Sequence, residues 1–155
     1  MIERSGPTEP AAASAKTERY FGRFVFTWTP IVLIADSGQR SILVVEDDGL
    51  VRADIVCELM ESGFAVIEAD SAEKAMAVFH DGHKIDLLFT DIRLSGPGNG
   101  HDVAEALRAL RPGIPVIYAS GQAIDPRRRV LGSLAFSKPY RPQEVVAACH
   151  GLTFS

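Results

Sequence analysis

The chain has 155 residues, 46% of them hydrophobic and 23% charged, with a formal net charge of −4, which is the make-up of one ordinary globular domain able to build its own core. The acidic balance and the lack of an extended basic stripe exclude nucleic acid as the main partner, because such binding rests on neutralising many phosphates. No stretch approaches the roughly 20 apolar residues of a membrane span, and the only two cysteines, Cys57 and Cys149, match no metal spacing; they are expected as small buried hydrophobes in a reducing cytoplasm.

Residues 1–40 read as an extension. The first sixteen, with "PTEPAAASAK", have the composition of a disordered tail and lack the apolar core of a signal peptide. The apolar stretch "FVFTWTPIVLIA" (24–35) is expected either to dock on the domain as an added strand or to belong to a dispensable leader from an upstream start codon.

From Ser41 onward, short apolar runs alternate with amphipathic stretches, the pattern of a parallel sheet with helices on both faces. "SILVVE" (41–46) is apolar on both parities, as a strand covered on both sides must be. The helix expected over 47–62 places Val51, Ile55 and Leu59 on one stripe with Val56 and Met60 beside it, and Gly63 is placed to end it. "FAVIEA" (64–69) is the second strand, and Ser71 caps a helix over 72–81. "IDLLFTD" (85–91) is the third strand. The helix over 101–111 carries Val103, Ala106, Leu107 and Leu110 on one face and stops at Pro112-Gly113. "IPVIYAS" (114–120) is the fourth strand, Asp125-Pro126 starts a short helix ending near Gly132, "LAFS" (134–137) is the fifth strand, and a last helix runs from Pro142 to about Cys149. The result is a (βα)5 unit over 41–155, for which right-handed crossovers favour the flavodoxin-like strand order 2-1-3-4-5.

Chemistry in such a sheet collects outside the carboxyl ends of the strands. Glu46-Asp47-Asp48 follow strand 1, Asp91 ends strand 3, Ser120-Gly121 end strand 4, and Ser137-Lys138-Pro139 end strand 5. Carboxylates gathered this closely raise one another's pKa unless a cation sits among them. Oxygen ligands with no Cys or His nearby point to Mg²⁺. A hydroxyl, a lysine, a metal and one acid at the end of strand 3 are what phosphoryl transfer needs, with Asp91 as nucleophile. Pro139 fixes the chain direction after Lys138 and is placed for a cis bond. The loop "SGPGNG" (95–100) lacks the spacing of a phosphate-binding loop and reads as a flexible connector. His80, His83, His101 and His150 are scattered and expected to be solvated or capping, and "RRR" (127–129) reads as the wet face of the short helix.

Four segments, "ILVVEDD", "LLFTDIRL", "VIYASG" and "SKPY", together resemble the signature segments of response-regulator receiver domains, over about residues 41–150. The resemblance implies that Asp91 accepts the phosphoryl group and that Asp47 ligates Mg²⁺ directly and Glu46 through water. It also implies that the backbone carbonyl of Arg93 completes the metal site, that Ser120 contacts a phosphoryl oxygen and that Lys138 pairs with it; Asp48 is only a neighbour. It further implies a phosphohistidine donor on a sensor histidine kinase or hybrid kinase, and a chain that catalyses only its own phosphorylation and dephosphorylation. "YASGQ" with "SKPY" resembles the receivers nicknamed for a Phe-Ala-Thr-Gly motif, the FAT GUY subset. Three positions depart from the family pattern. Ala135 stands where an aromatic switch residue is usual, the path from Ser120 to Lys138 is short, and Ser95 stands where proline is common.

The leading expectation is a stand-alone cytoplasmic receiver that signals by contact with a downstream protein, with a homodimer left open. An Mg²⁺-dependent phosphohydrolase is the second reading, although it would want an acid at position 93. A receiver-like interaction module that never carries phosphate is the third.

Overall fold

The computed structural model describes residues 38–153, so the expectations for the tail and for 24–35 lie outside the described residues. Alternation decides how the layers form. In β1 (Ser41–Val45) the side chains of Ile42 and Val44 point to one face and those of Leu43 and Val45 to the other, and all four are fully buried. The same split recurs in β3 (Leu87–Asp91), with Leu87 and Phe89 opposed to Leu88, and in β4 (Val116–Ser120), with Ile117 and Ala119 opposed to Val116 and Tyr118. Burying a side chain of this size stabilises by about 1.5–3 kcal/mol, so both faces demand cover.

Helices supply it in pairs. Ile55, Val56 and Leu59 of α1 (Gly49–Glu61) and Val145, Val146 and Cys149 of α4 (Pro142–Thr153) close the first face. Ala72 and Ala75 of α2 (Ala72–His80) and Val103, Ala104 and Leu107 of α3 (Gly100–Leu110) close the second. With β2 (Ala65–Ala69) and β5 (Leu134–Ser137), the strands form one parallel sheet of order β2-β1-β3-β4-β5, as expected.

Caps fix the helix starts. Asp48 accepts from the Leu50 and Val51 N–H groups, Ser71 from Lys74, and Asn99 shares a capping box with Asp102. Gly63 follows α1 at φ +90°, a conformation only glycine takes without strain.

Several expectations are corrected. Met60 and Leu110 are 60% and 63% exposed: Met60 lies off the edge of a stripe that still buries its neighbour Leu59, and Leu110 ends α3 three residues past the buried Leu107. Cys57 is exposed on the outer side of α1, while Cys149 is buried, and burial pushes its thiol up to about 12. His101 is buried rather than solvated, its ring centroid 5.0 Å from that of Tyr118 with the two planes tilted by 45°. The short helix is only a 3₁₀ turn over Pro126–Arg128, capped by Asp125, since little apolar surface is available to extend it. The Lys138–Pro139 bond is cis.

Candidate functional site

The register of the sheet sets the carboxyl ends side by side: Val45 pairs with Thr90, Asp91 with Ala119, and Ser120 with Ser137. Glu46, one residue past β1, is fully buried, and Asp91 is 6% exposed. Lys138 reaches across the edge from β5. Its Nζ donates to Glu46 Oε2 at 2.6 Å and to Asp91 Oδ2 at 2.5 Å.

Each carboxylate has further partners. Asp91 Oδ1 accepts from the Arg93 N–H at 3.0 Å, and Glu46 Oε1 from the Asp48 N–H at 3.3 Å. Asp47 Oδ2 accepts from both the N–H and the hydroxyl of Ser95. Glu46, Asp47 and Asp91 each bring an oxygen within 4.8 Å of the others.

Electrostatics follow from this crowding. Burial, helped by the Asp91 charge, pushes the Glu46 carboxyl up, against the pull of the Lys138 hydrogen bond. The Ser95 hydroxyl holds the half-buried Asp47 carboxyl below the usual range. For Lys138, burial is the strongest single influence and favours the neutral amine, but its bonds and charge attractions to Asp91 and Glu46 together carry its pKa up. Three carboxylates face one ammonium, so the cluster has room for two more positive charges. A hard divalent cation of the Mg²⁺ kind fits that donor set, which is all oxygen.

Ser120 is 3% exposed at the end of β4. Its hydroxyl oxygen accepts from the Gln122 N–H at 3.1 Å, and its carbonyl accepts from the Lys138 N–H at 2.7 Å. The end of the fourth strand is thereby tied to the backbone of the lysine itself. Arg93 is exposed, and with an arginine there, no acid stands two residues past Asp91 to serve a hydrolase.

Three neighbours were missed in the sequence. Arg52, on the first turns of α1, donates to the Glu46 carbonyl at 2.7 Å and pairs with Glu68 at 3.1 Å. Its place four residues after the cap Asp48 was the available signal. Ser95 was read only as a departure in a flexible connector, yet it ties that loop to Asp47. Gly100 opens α3 against the β3 backbone, where an added Cβ would lie 2.1 Å from the Asp91 carbonyl oxygen.

The family model for the response regulator receiver domain matches residues 42–150. A probable transcriptional regulatory protein of Picosynechococcus sp. strain PCC 7002 is 32% identical over 127 residues, covering 75% of this chain and 50% of that protein. The sensor kinase CckA of Brucella abortus is 32% identical over 90 residues, covering 57% of this chain and 9% of the kinase. The chain thus spans half or less of the length of these curated relatives. A response regulator receiver protein from Sinorhizobium medicae aligns with a TM-score of 0.73 at 29% identity, covering 76% of this chain and 96% of that one.

Proposed function

The chain belongs to the response-regulator receiver family, and from that premise we propose that Asp91 accepts a phosphoryl group from the phosphohistidine of a sensor histidine kinase or hybrid kinase. The observation that carries this reading is the Lys138 ammonium held between Glu46 and Asp91 at the edge of the sheet. A carboxylate oxygen of Asp91 attacks phosphorus, the P–N bond to the donor imidazole breaks, and an acyl phosphate forms on Asp91. Lys138 transfers one of its bonds from Asp91 to a phosphoryl oxygen, and the Ser120 hydroxyl, whose oxygen accepts from Gln122, donates its own proton to another. Asp47, Asp91 and the Arg93 backbone carbonyl would hold Mg²⁺ directly and Glu46 would do so through water, and the bound ion would neutralise charge on the incoming group.

The receiver occupies residues 41–155 and residues 1–40 are an extension. It works in the cytoplasm, catalyses its own phosphorylation and dephosphorylation, and passes the signal to a downstream protein by contact. Among the described residues no helix is long and apolar enough to cross a membrane.

Incubation with acetyl phosphate and Mg²⁺, followed by intact mass, tests the reading. The full chain should gain one phosphoryl group, and Asp91→Asn should gain none. Undiminished labelling of that variant would remove Asp91 from the role.

A further inference from the structure

Two loops that come from different crossovers meet at one oxygen. Ser95, four residues past Asp91, gives both of its donors to Asp47 Oδ2: the backbone N–H at 3.0 Å and the hydroxyl more closely still. The residues are 48 apart in sequence, so the pair ties the loop after β1 to the loop after β3. Ser95 is exposed and takes no part in either core cluster.

We propose that Ser95 is a positioning residue for the divalent-cation site: by engaging Oδ2 twice it leaves Oδ1 as the single oxygen with which Asp47 can ligate. The inference rests on the Mg²⁺ reading of the cluster given above. One-oxygen presentation suits Mg²⁺, which demands near-ideal octahedral geometry and takes few carboxylates from protein. It suits Ca²⁺ less, because the larger ion accepts both oxygens of one carboxylate in a flexible shell. Ser95 therefore does two things through Asp47. It holds the ligand in place before the ion arrives, and it discriminates against the ion that would use Oδ2 as well. Groups that orient a metal ligand in this way commonly contribute about 10–100-fold in affinity.

Calorimetric titration of the full chain with Mg²⁺ and with Ca²⁺ tests this, using wild type, Ser95→Ala, Ser95→Thr and Asp47→Asn. Ser95→Ala keeps the backbone donor and loses the hydroxyl, so Mg²⁺ binding should weaken by about tenfold, the low end of that range. Ca²⁺ binding should weaken less, lowering the Mg²⁺ to Ca²⁺ affinity ratio. Ser95→Thr, which keeps the hydroxyl, should restore the ratio. Unchanged or tighter Mg²⁺ binding by Ser95→Ala, or an equal loss for both ions, overturns the positioning role while Asp47→Asn still abolishes binding. Full Mg²⁺ binding by Asp47→Asn overturns the ion site itself, and the role of Ser95 with it.

Discussion

At the scale of single residues, the site depends on a glycine and borders a buried imidazole that carry none of its chemistry. An alanine at position 100 would place its Cβ 2.1 Å from the Asp91 carbonyl oxygen and 2.8 Å from Thr90 Oγ1, so α3 or the β3 backbone has to move. Gly100→Ala should therefore cost about 1–3 kcal/mol, as overpacking does, and slow labelling of Asp91. Gly113→Ala, where nothing lies within 4 Å, should leave both unchanged. Urea unfolding and the phosphorylation rate check the pair, and equal behaviour of the two variants would remove the argument. His101 sits under the turn at Pro126–Arg128 with its Nδ1 buried and without a hydrogen-bond partner. Burial foremost, then the Arg128 charge, lowers its pKa below the ordinary 6.5, against a hydrogen bond to the Arg128 backbone and the charges of Glu105 and Asp102. The folded state thus favours neutral imidazole, and the unfolded chain takes up the proton first as pH falls. The stability His101 contributes is complete above about pH 6.5 and declines below it toward the lower folded value. His101→Phe should flatten the urea midpoint between about pH 7.5 and about pH 5.5. The same slope in both proteins would show that other groups carry the pH dependence.

At the scale of elements, the strands were the most legible part of the chain, because a run buried on both faces leaves no polar position to misread. β1, β3 and β4 lie within the expected segments, and the caps Ser71 and Asp125 are where expected. Helix faces were less legible. Periodicity tells which side is apolar but neither how wide the buried stripe is nor where a helix leaves the sheet, so Met60 and Leu110 were overcounted and His101 was missed. The converging side chains of the site were legible as strand ends; Ser95 and Arg52 were not, because their partners lie in other loops. The β4–β5 connection is the element with least structure of its own. Beyond the single turn at Pro126–Arg128, side chains tie it down: the Val130 N–H donates to the Tyr118 hydroxyl at 3.4 Å, Arg108 to the Leu131 carbonyl at 2.9 Å, and Arg128 lies 3.8 Å from Asp102. Its first residues depend on Ser120, whose hydroxyl accepts from Gln122. If that hydroxyl donated to a phosphoryl oxygen, any shift of its oxygen would pull on the Gln122 amide that it accepts from, and Ala135 on β5 has no ring to follow the movement. Amide exchange over residues 122–132 should therefore change when beryllofluoride occupies Asp91, by the 1–3 kcal/mol typical of coupled sites. Identical protection there, with changes elsewhere, would place the switch in another element.

At the scale of the whole molecule, the fold holds a local excess of negative charge at one edge of a sheet whose central strands β1, β3 and β4 bury apolar side chains on both faces. Glu46 is fully buried and Asp91 nearly so, and folding brings Asp47 within 4.8 Å of both, so the native state concentrates a repulsion that the unfolded chain spreads out. Lys138 offsets part of it. A divalent cation that binds only this assembled cluster must stabilise the native state by mass action, by about 2.7 kcal/mol at a free concentration of about a hundred times Kd. The melting temperature of the full chain should rise with Mg²⁺ and fall back when a chelator removes it. Asp47→Asn should lose most of that rise, because it removes a charged ligand without touching either core cluster. The monovalent salt dependence of the two proteins serves as the reference, since screening alone acts on any surface charge. If Mg²⁺ raised the melting temperature of Asp47→Asn as much as that of the wild type, the stabilising ion would be bound elsewhere on an acidic surface, and the three carboxylates would have to be held together by Lys138, which bonds Glu46 and Asp91, and by Ser95, which bonds Asp47.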